Sequence, residues 1–207
     1  HTGGVDHIPI HHENEIAQAE CWLGHPAVHY WMHSEFMLID GGKMSKSLGN
    51  TYTISDLVAK GYSPVVFRYF CLNVQYRQKI NFTWEAMDAA KAAYNKLCAQ
   101  LVSHKNSPAR TEKSILDDFH NKFEEAINDD LNIPLAIGVL WTMLKLPKSC
   151  DVYKLALDFD RVFALDFDKV KEEKKEIVIP DNVKQLAETR LQARKAKNWA
   201  ASDRLRE

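Results

Sequence analysis

TGGVDHIPIHHENEIAQAE, residues 2–20, carries two adjacent glycines, three histidines and four carboxylates. Gly3 and Gly4 allow tight backbone turns, so the opening HTGGVDHIPI reads as a strand end running into a loop. From His12 to Leu23 the pattern turns helical, because Ile16, Ala19 and Leu23 recur at helical spacing. Gly24 and Pro26 then stop the helix. A short helix thus begins on two histidines and two glutamates directly behind a glycine pair.

Moving outward, residues 28–40 (VHYWMHSEFMLID) mix aromatic and aliphatic side chains, and FMLID predicts a strand. GGKMSKSLGN, residues 41–50, follows as a glycine-rich loop bearing two lysines. The pentamer KMSKS, Lys43 to Ser47, offers two ammonium groups and two hydroxyls. Such a loop can close over a polyphosphate and stabilise the charge that builds up as pyrophosphate leaves. Gly41, Gly42 and Gly49 permit the hinge. Taken alone, the pentamer is equally compatible with a solvated lysine–serine loop.

Beyond Asn50 the pattern is helical. ISDLVAKG and SPVVFRYFCLNV predict two short helices, with Pro64 suited to a first turn. WEAMDAAKAAYNKLCAQLV predicts a long alanine-rich one. SHKNSPART, residues 103–111, is polar, aperiodic and contains Pro108, which places a linker over 103–114. SILDDFHNKFEEAIND, PLAIGVLWTMLKL, DVYKLALDFDRVFAL and NVKQLAETRLQARKAKNWAASDRLR then read as four helices of an up-and-down bundle.

Bulk properties narrow the class. The chain has 207 residues, a formal net charge of −1, 45% hydrophobic and 27% charged residues, as in an ordinary globular protein. No apolar run approaches the length of a membrane span, and no signal peptide opens the sequence. The first residue is His1 rather than methionine, so an N-terminal part is expected to be missing. Cys21, Cys71, Cys98 and Cys150 form no CxxC pair, which argues against a disulfide scaffold and for a reduced, cytoplasmic setting. Residues 1–50 carry six acids against Lys43 and Lys46 alone, whereas residues 184–207 carry seven Lys or Arg against three acids. That basic end suits a phosphate-facing surface, although a solvated helix face would look the same.

Together these motifs resemble the cysteinyl-tRNA synthetase family among class I aminoacyl-tRNA synthetases. GGxD, HHENEIAQ, WMHS and KMSKSLGN occur in the family's order and approximate spacing, and YRQKINF (76–82) and DDLNIP (129–134) are further landmarks. The resemblance spans essentially the whole chain. It implies an α/β remnant plus a mostly α remainder: the second part of a Rossmann-like catalytic domain, followed by an antiparallel helical bundle. Residues 1–50 would end the catalytic domain, 51–102 would be a connecting helical region and 115–207 a tRNA-binding bundle. The implied activity is ATP-dependent activation of cysteine, with Mg2+, and its transfer to tRNA(Cys) by a monomer. The chain by itself is expected to be inactive, because the HIGH-bearing half is absent.

The resemblance also implies roles for particular residues. Lys46 and Lys43 would stabilise phosphates, with Met44, Ser45 and Ser47 completing the loop. Gly3, Gly4 and Asp6 match GGxD and would meet the nucleotide or the amino-acid end. His11 and Glu15 would hold Zn2+ together with two cysteines supplied from upstream. Residues four apart share a helical face, so an imidazole and a carboxylate can converge there. Cys21, more than a turn past Glu15, is too far along to join them. Zinc bound to a thiolate would explain selection against serine. His7, His12 and His25 read as polar surface or packing residues, and Trp31 and His33 as packing. Arg190, Arg194, Lys195 and Lys197 would contact tRNA phosphates; Trp199 suits capping the bundle as well as stacking on a base.

Two departures stand out. Family members commonly read DLxFPHHENE where this chain has DHIPIHHENE, and HYR where it has Gln75-Tyr76-Arg77. The chain also stops at SDRLRE, where the family usually continues into an anticodon-reading region. Two alternatives remain at this level. One is a ligase joining cysteine to a small amine, as in mycothiol synthesis. The other is a non-catalytic tRNA-binding fragment.

Overall fold

The computed structural model describes residues 1–171, 181–195, 198, 199 and 203, with the backbone alone for residues 46, 181, 182 and 184. The strands are β1 (Thr2–Gly4), β2 (Met32–Ser34), β3 (Met37–Ile39), β4 (Gly42–Lys43) and β5 (Ile80–Phe82). The helices are α1 (Glu13–Leu23), α2 (Ile54–Ala59), α3 (Pro64–Leu72), α4 (Trp84–Lys105), α5 (Lys113–Asn128), α6 (Ile133–Met143), α7 (Cys150–Phe163) and α8 (Asp181–Lys195). No helix among the described residues is long and apolar enough to cross a membrane.

Two small sheets carry the motif-bearing end. β1 pairs in parallel with β2, setting Gly3 opposite His33. β3 pairs antiparallel with β4 and in parallel with β5, so that Leu38 lies opposite both Lys43 and Asn81. Asp40 (φ 49°) and Gly41 (φ 76°) join β3 to β4. Both lie in the left-handed region, as a two-residue hairpin turn demands and as Asp-Gly favours. The sequence reading ended its strand at Asp40 and opened the loop at Gly41, and missed the hairpin along with β2 and β5; three-residue strands leave little room for alternation to show.

Side-chain caps define most helix starts. Thr53 and Asp56 form a reciprocal capping box at α2. Ser63, Thr83, Asn132 and Ser149 accept backbone N–H groups at the starts of α3, α4, α6 and α7. α4 continues through His104 and Lys105, so the segment between α4 and α5 covers residues 106–112 and is shorter than the expected linker. His104 explains the extension. Its ring is fully buried, Nδ1 accepts the Ser149 N–H at 3.1 Å, and Nε2 lies 3.2 Å from the Leu144 carbonyl oxygen. Burial pushes its pKa down, and these bonds suit a neutral ring protonated on Nε2.

α4, α5, α6 and α7 pack into a helical cluster. Phe123 and Phe159 stack with centroids 3.9 Å apart, and Phe163 meets Phe123 edge-on at 5.4 Å. Behind α7 the Asp160 carboxylate accepts the N–H groups of Leu165 and Phe167, which turns both side chains into the core. Residues His1–Glu172 form one compact unit and Glu173–Glu207 a second, which contains α8.

Within the first unit, Asp130 ties the helical cluster to the β3 region. It takes Arg77 Nε at 2.6 Å and the Tyr76 hydroxyl at 2.6 Å. The Tyr76 carbonyl in turn accepts the Glu35 N–H at 2.9 Å. The Arg77 bond, then the Tyr76 bond, hold the Asp130 carboxyl down at about 2. A depressed carboxylate contributes stability that is present above its ordinary 3.8 and is lost as pH falls through the lower value. In the intact protein, Asp130→Asn should therefore lower Tm most at neutral pH. The gap from wild type should close as pH drops from 3.8 towards 2. Thermal melts across that range check it, and a gap independent of pH would contradict it.

Candidate functional site

The candidate site grows from the glycine pair. A Cβ on Gly3 would lie 2.8 Å from His12 Cε1 and 3.0 Å from His7 Nδ1, so the imidazoles pack where a side chain would otherwise stand. A Cβ on Gly4 would come within 2.5 Å of Asp6 Oδ1, because the Asp6 carboxylate folds back over the backbone there. After a tight turn at Val5–His7, residues Ile8–His12 form one over-wide π-helical turn before α1 begins. Such turns often mark functional positions.

That wide turn decides which histidine faces inward. His12 is 4% exposed, while His11 is exposed with its ring 5.2 Å from that of His7. His12 Nδ1 sits 2.7 Å from His33 Nε2, so one ring donates to the other. The Trp31 ring lies 4.8 Å from His12 and 4.9 Å from His1, and is parallel to His33. His1 Nε2 is 3.0 Å from Glu15 Oε2. One ligand-capable atom from each of His1, His12 and Glu15 falls within 4.8 Å of the others. Burial lowers the pKa of His12; the Glu15 carboxylate opposes that, while His33, His7 and His11 reinforce it. A neutral imidazole is the form that ligates a metal.

Of the expected metal pair, then, Glu15 joins a cluster with His1 and His12, and His11 stands outside it. His12, read from sequence as surface or packing, is the packed residue at the buried centre of the group. His33 and Trp31 pack around it, and His1 completes the group without having been singled out. Glu15 also lies three residues from His12, a spacing that shares a helical face, so that pair was legible. The wide turn was not.

The KMSKS loop leaves the edge strand β4. Lys43 is exposed, and Met44 lines an apolar cavity of about 280 Å3 with Met37, Ile39, Tyr52, Phe67 and Phe82. Lys46–Leu48 form a single 3-10 turn. The Lys46 side chain lies outside the description. Ser45 Oγ and Ser47 Oγ are 2.8 Å apart. In the second unit, Arg194 and Lys195 are exposed, and Arg190 is half-buried, its Nε buried and without a hydrogen-bond partner among the described residues. Lys197 lies outside the described residues.

A family described as the class I tRNA synthetase (C) catalytic domain matches residues 1–92, and the DALR domain matches residues 122–146. All of this chain aligns with cysteine–tRNA ligase 1 of Burkholderia lata, at 37% identity over 209 residues and 43% of that protein. It aligns as fully with the cysteine–tRNA ligase of Opitutus terrae, at 42% identity over 43% of that protein, and with that of Chlamydia caviae, at 39% over 46%. The chain belongs to the cysteinyl-tRNA synthetase family. It spans less than half the length of these synthetases. The catalytic-domain match contains both the histidine cluster and the KMSKS loop, whereas the DALR match covers the end of α5 and all of α6 and stops before α8.

Because the imidazoles fill the space above Gly3, Gly3→Ala in the intact protein must push His12 and His7 aside. Overpacking of this kind costs about 1–3 kcal/mol. A denaturant midpoint unchanged from wild type would show that the cluster yields without cost.

Proposed function

We propose that the protein containing this chain activates cysteine with ATP and transfers it to tRNA(Cys). The observation carrying this reading is that the synthetase-like identity runs through all 207 residues and includes an intact KMSKS turn mounted on the β3–β4 hairpin. In this reading Lys43 and Lys46 meet the Mg2+-bound triphosphate of ATP and stabilise charge developing on the leaving pyrophosphate, which a hinged loop can do only at the transition state. Met44, Ser45 and Ser47 hold the loop's shape. Gly3, Gly4 and Asp6 offer open backbone and a carboxylate to the nucleotide or the substrate ammonium.

The donor chemistry at the start of α1 fits zinc: imidazole nitrogens and a carboxylate oxygen gather within one ion's reach. Zinc bound there would favour a soft thiolate over the hydroxyl of serine. The resemblance to the family assigns Glu15 and His11 as ligands; Glu15 belongs to the gathered group, and His11 is exposed outside it. His12 is buried against His33 and orients the turn. Basic residues 190, 194, 195 and 197 would hold tRNA phosphates. The helical part would form an antiparallel bundle over 115–207, joined through a linker within 103–114 to the connecting helices of 51–102.

Cysteine-dependent ATP–pyrophosphate exchange and charging of tRNA(Cys) by the full-length protein test the reading, and absence of both overturns it. Lys46→Ala should slow exchange by about 10²–10³ while leaving the KM for cysteine near wild type. Equal changes in binding and turnover would make Lys46 a ground-state contact. Zinc content, measured on the same preparations, should collapse in Glu15→Ala and His11→Ala and persist in His12→Ala. Loss confined to the His12 variant would move the site inward, onto the buried cluster.

A further inference from the structure

One side chain outside the KMSKS pentamer holds it in shape. Asn50 Oδ1 accepts the Ser45 N–H at 2.8 Å, and Asn50 Nδ2 donates to the Lys43 carbonyl at 3.0 Å. A single planar amide therefore bonds the backbone on both sides of Met44. An Asn amide carries a donor and an acceptor on one rigid planar group, which suits it to bond an N–H and a carbonyl at once. Gly49 makes the return possible: its φ of 65° sends the chain back so that residue 50 meets residue 43. Inside this bracket Ser45 closes a second, smaller ring. Its carbonyl and its hydroxyl both accept the Leu48 N–H, each at 3.3 Å, which closes the turn that Lys46 begins. The Met44 side chain packs on the core below.

The physical consequence follows from what surrounds the bracket. Gly41 and Gly42 precede it and Gly49 lies within it, so the backbone is intrinsically free on both flanks of the lysines. Without the amide, residues 43–48 would spread over many conformers, and Lys46 with them. We infer that Asn50 is a positioning residue, whose amide presets the backbone of the KMSKS turn and so delivers Lys46 to the reacting phosphates. This inference rests on the adenylate-forming activity proposed above. Asn50 itself need touch neither ATP nor cysteine. Its effect should therefore appear in turnover rather than in substrate affinity, and only while Lys46 is present to be positioned.

The test uses the full-length protein, with Asn50→Ala, Lys46→Ala and the double variant. Cysteine-dependent pyrophosphate exchange should fall roughly 10²-fold in Asn50→Ala, the scale on which a misplaced group loses rate. The KM for cysteine should stay within about twofold. In the Lys46→Ala background, removing Asn50 should add little, since two residues acting through one contact do not add. Hydrogen exchange of peptides covering 43–48 should speed up in Asn50→Ala, with the remainder of the protein unchanged. Wild-type turnover in Asn50→Ala, or a full further loss on top of Lys46→Ala, overturns the assignment. A wild-type protein without cysteine-dependent exchange overturns the functional reading instead, and unchanged exchange at 43–48 would then sink the bracket as well.

Discussion

Most of the motif-bearing half hangs on three residues, Met37, Leu38 and Ile39, which pair with chain on both sides. On one side they pair with Gly42 and Lys43, which fixes where the KMSKS loop departs; on the other they pair in parallel with Ile80–Phe82, which fixes where α4 starts. The central strand therefore couples the KMSKS loop to α4, the longest helix among the described residues. Asn81 strengthens the joint, since its side-chain oxygen accepts the Gly41 N–H at 2.8 Å and braces the hairpin turn from the opposite strand. Below the sheet, Ile39 and Phe82 are almost fully buried with Leu57, Val66 and Phe70. Burial of this kind, at about 25 cal/mol per Å2 of apolar surface, gives a short strand a fixed register that its few ladder bonds alone would not.

Rigidity and freedom are distributed accordingly. The helical cluster is locked by stacked phenylalanines and by polar side chains that satisfy backbone groups internally: His104 at the end of α4, Asp160 behind α7, and the Tyr94 hydroxyl on the Leu165 carbonyl. It is also joined to α3 through Trp141 on Tyr69, and to the β3 region through Asp130 on Arg77 and Tyr76. The KMSKS loop, by contrast, sits at a sheet edge with glycines on its flanks, shaped by the Asn50 amide bracket and the small Ser45–Leu48 ring.

At the start of α1 the balance is electrostatic and steric together. Several imidazoles share a small volume beside Glu15. Burial and mutual repulsion push His12 towards its neutral form. The absence of a side chain on Gly3 makes the volume available at all. The apolar side chains nearby are conspicuously uncovered, with Trp22 and Tyr30 each 86% exposed.

Local chemistry alone made several features legible. The proline and hydroxyl caps, the helical periods, the Lys/Ser loop between glycines and the order of the motifs are all written over a few consecutive residues, where spacing has one reading. The parallel pairings were not, because they join residues 30 to 43 positions apart (Thr2 with Met32, Leu38 with Asn81) and leave no local trace. The choice between His11 and His12 for the interior was hidden for a related reason. A single wide turn at Ile8–His12 rotates every later side chain by a fraction of a helical turn, and what decides it is how His12 packs over Gly3 and against His33, a contact across 21 positions. The sequence by itself determined which chemical groups are present and the short segments they lie on; which of them face one another was decided by tertiary packing, because periodicity sets spacing along an element and only contacts between elements set its rotation.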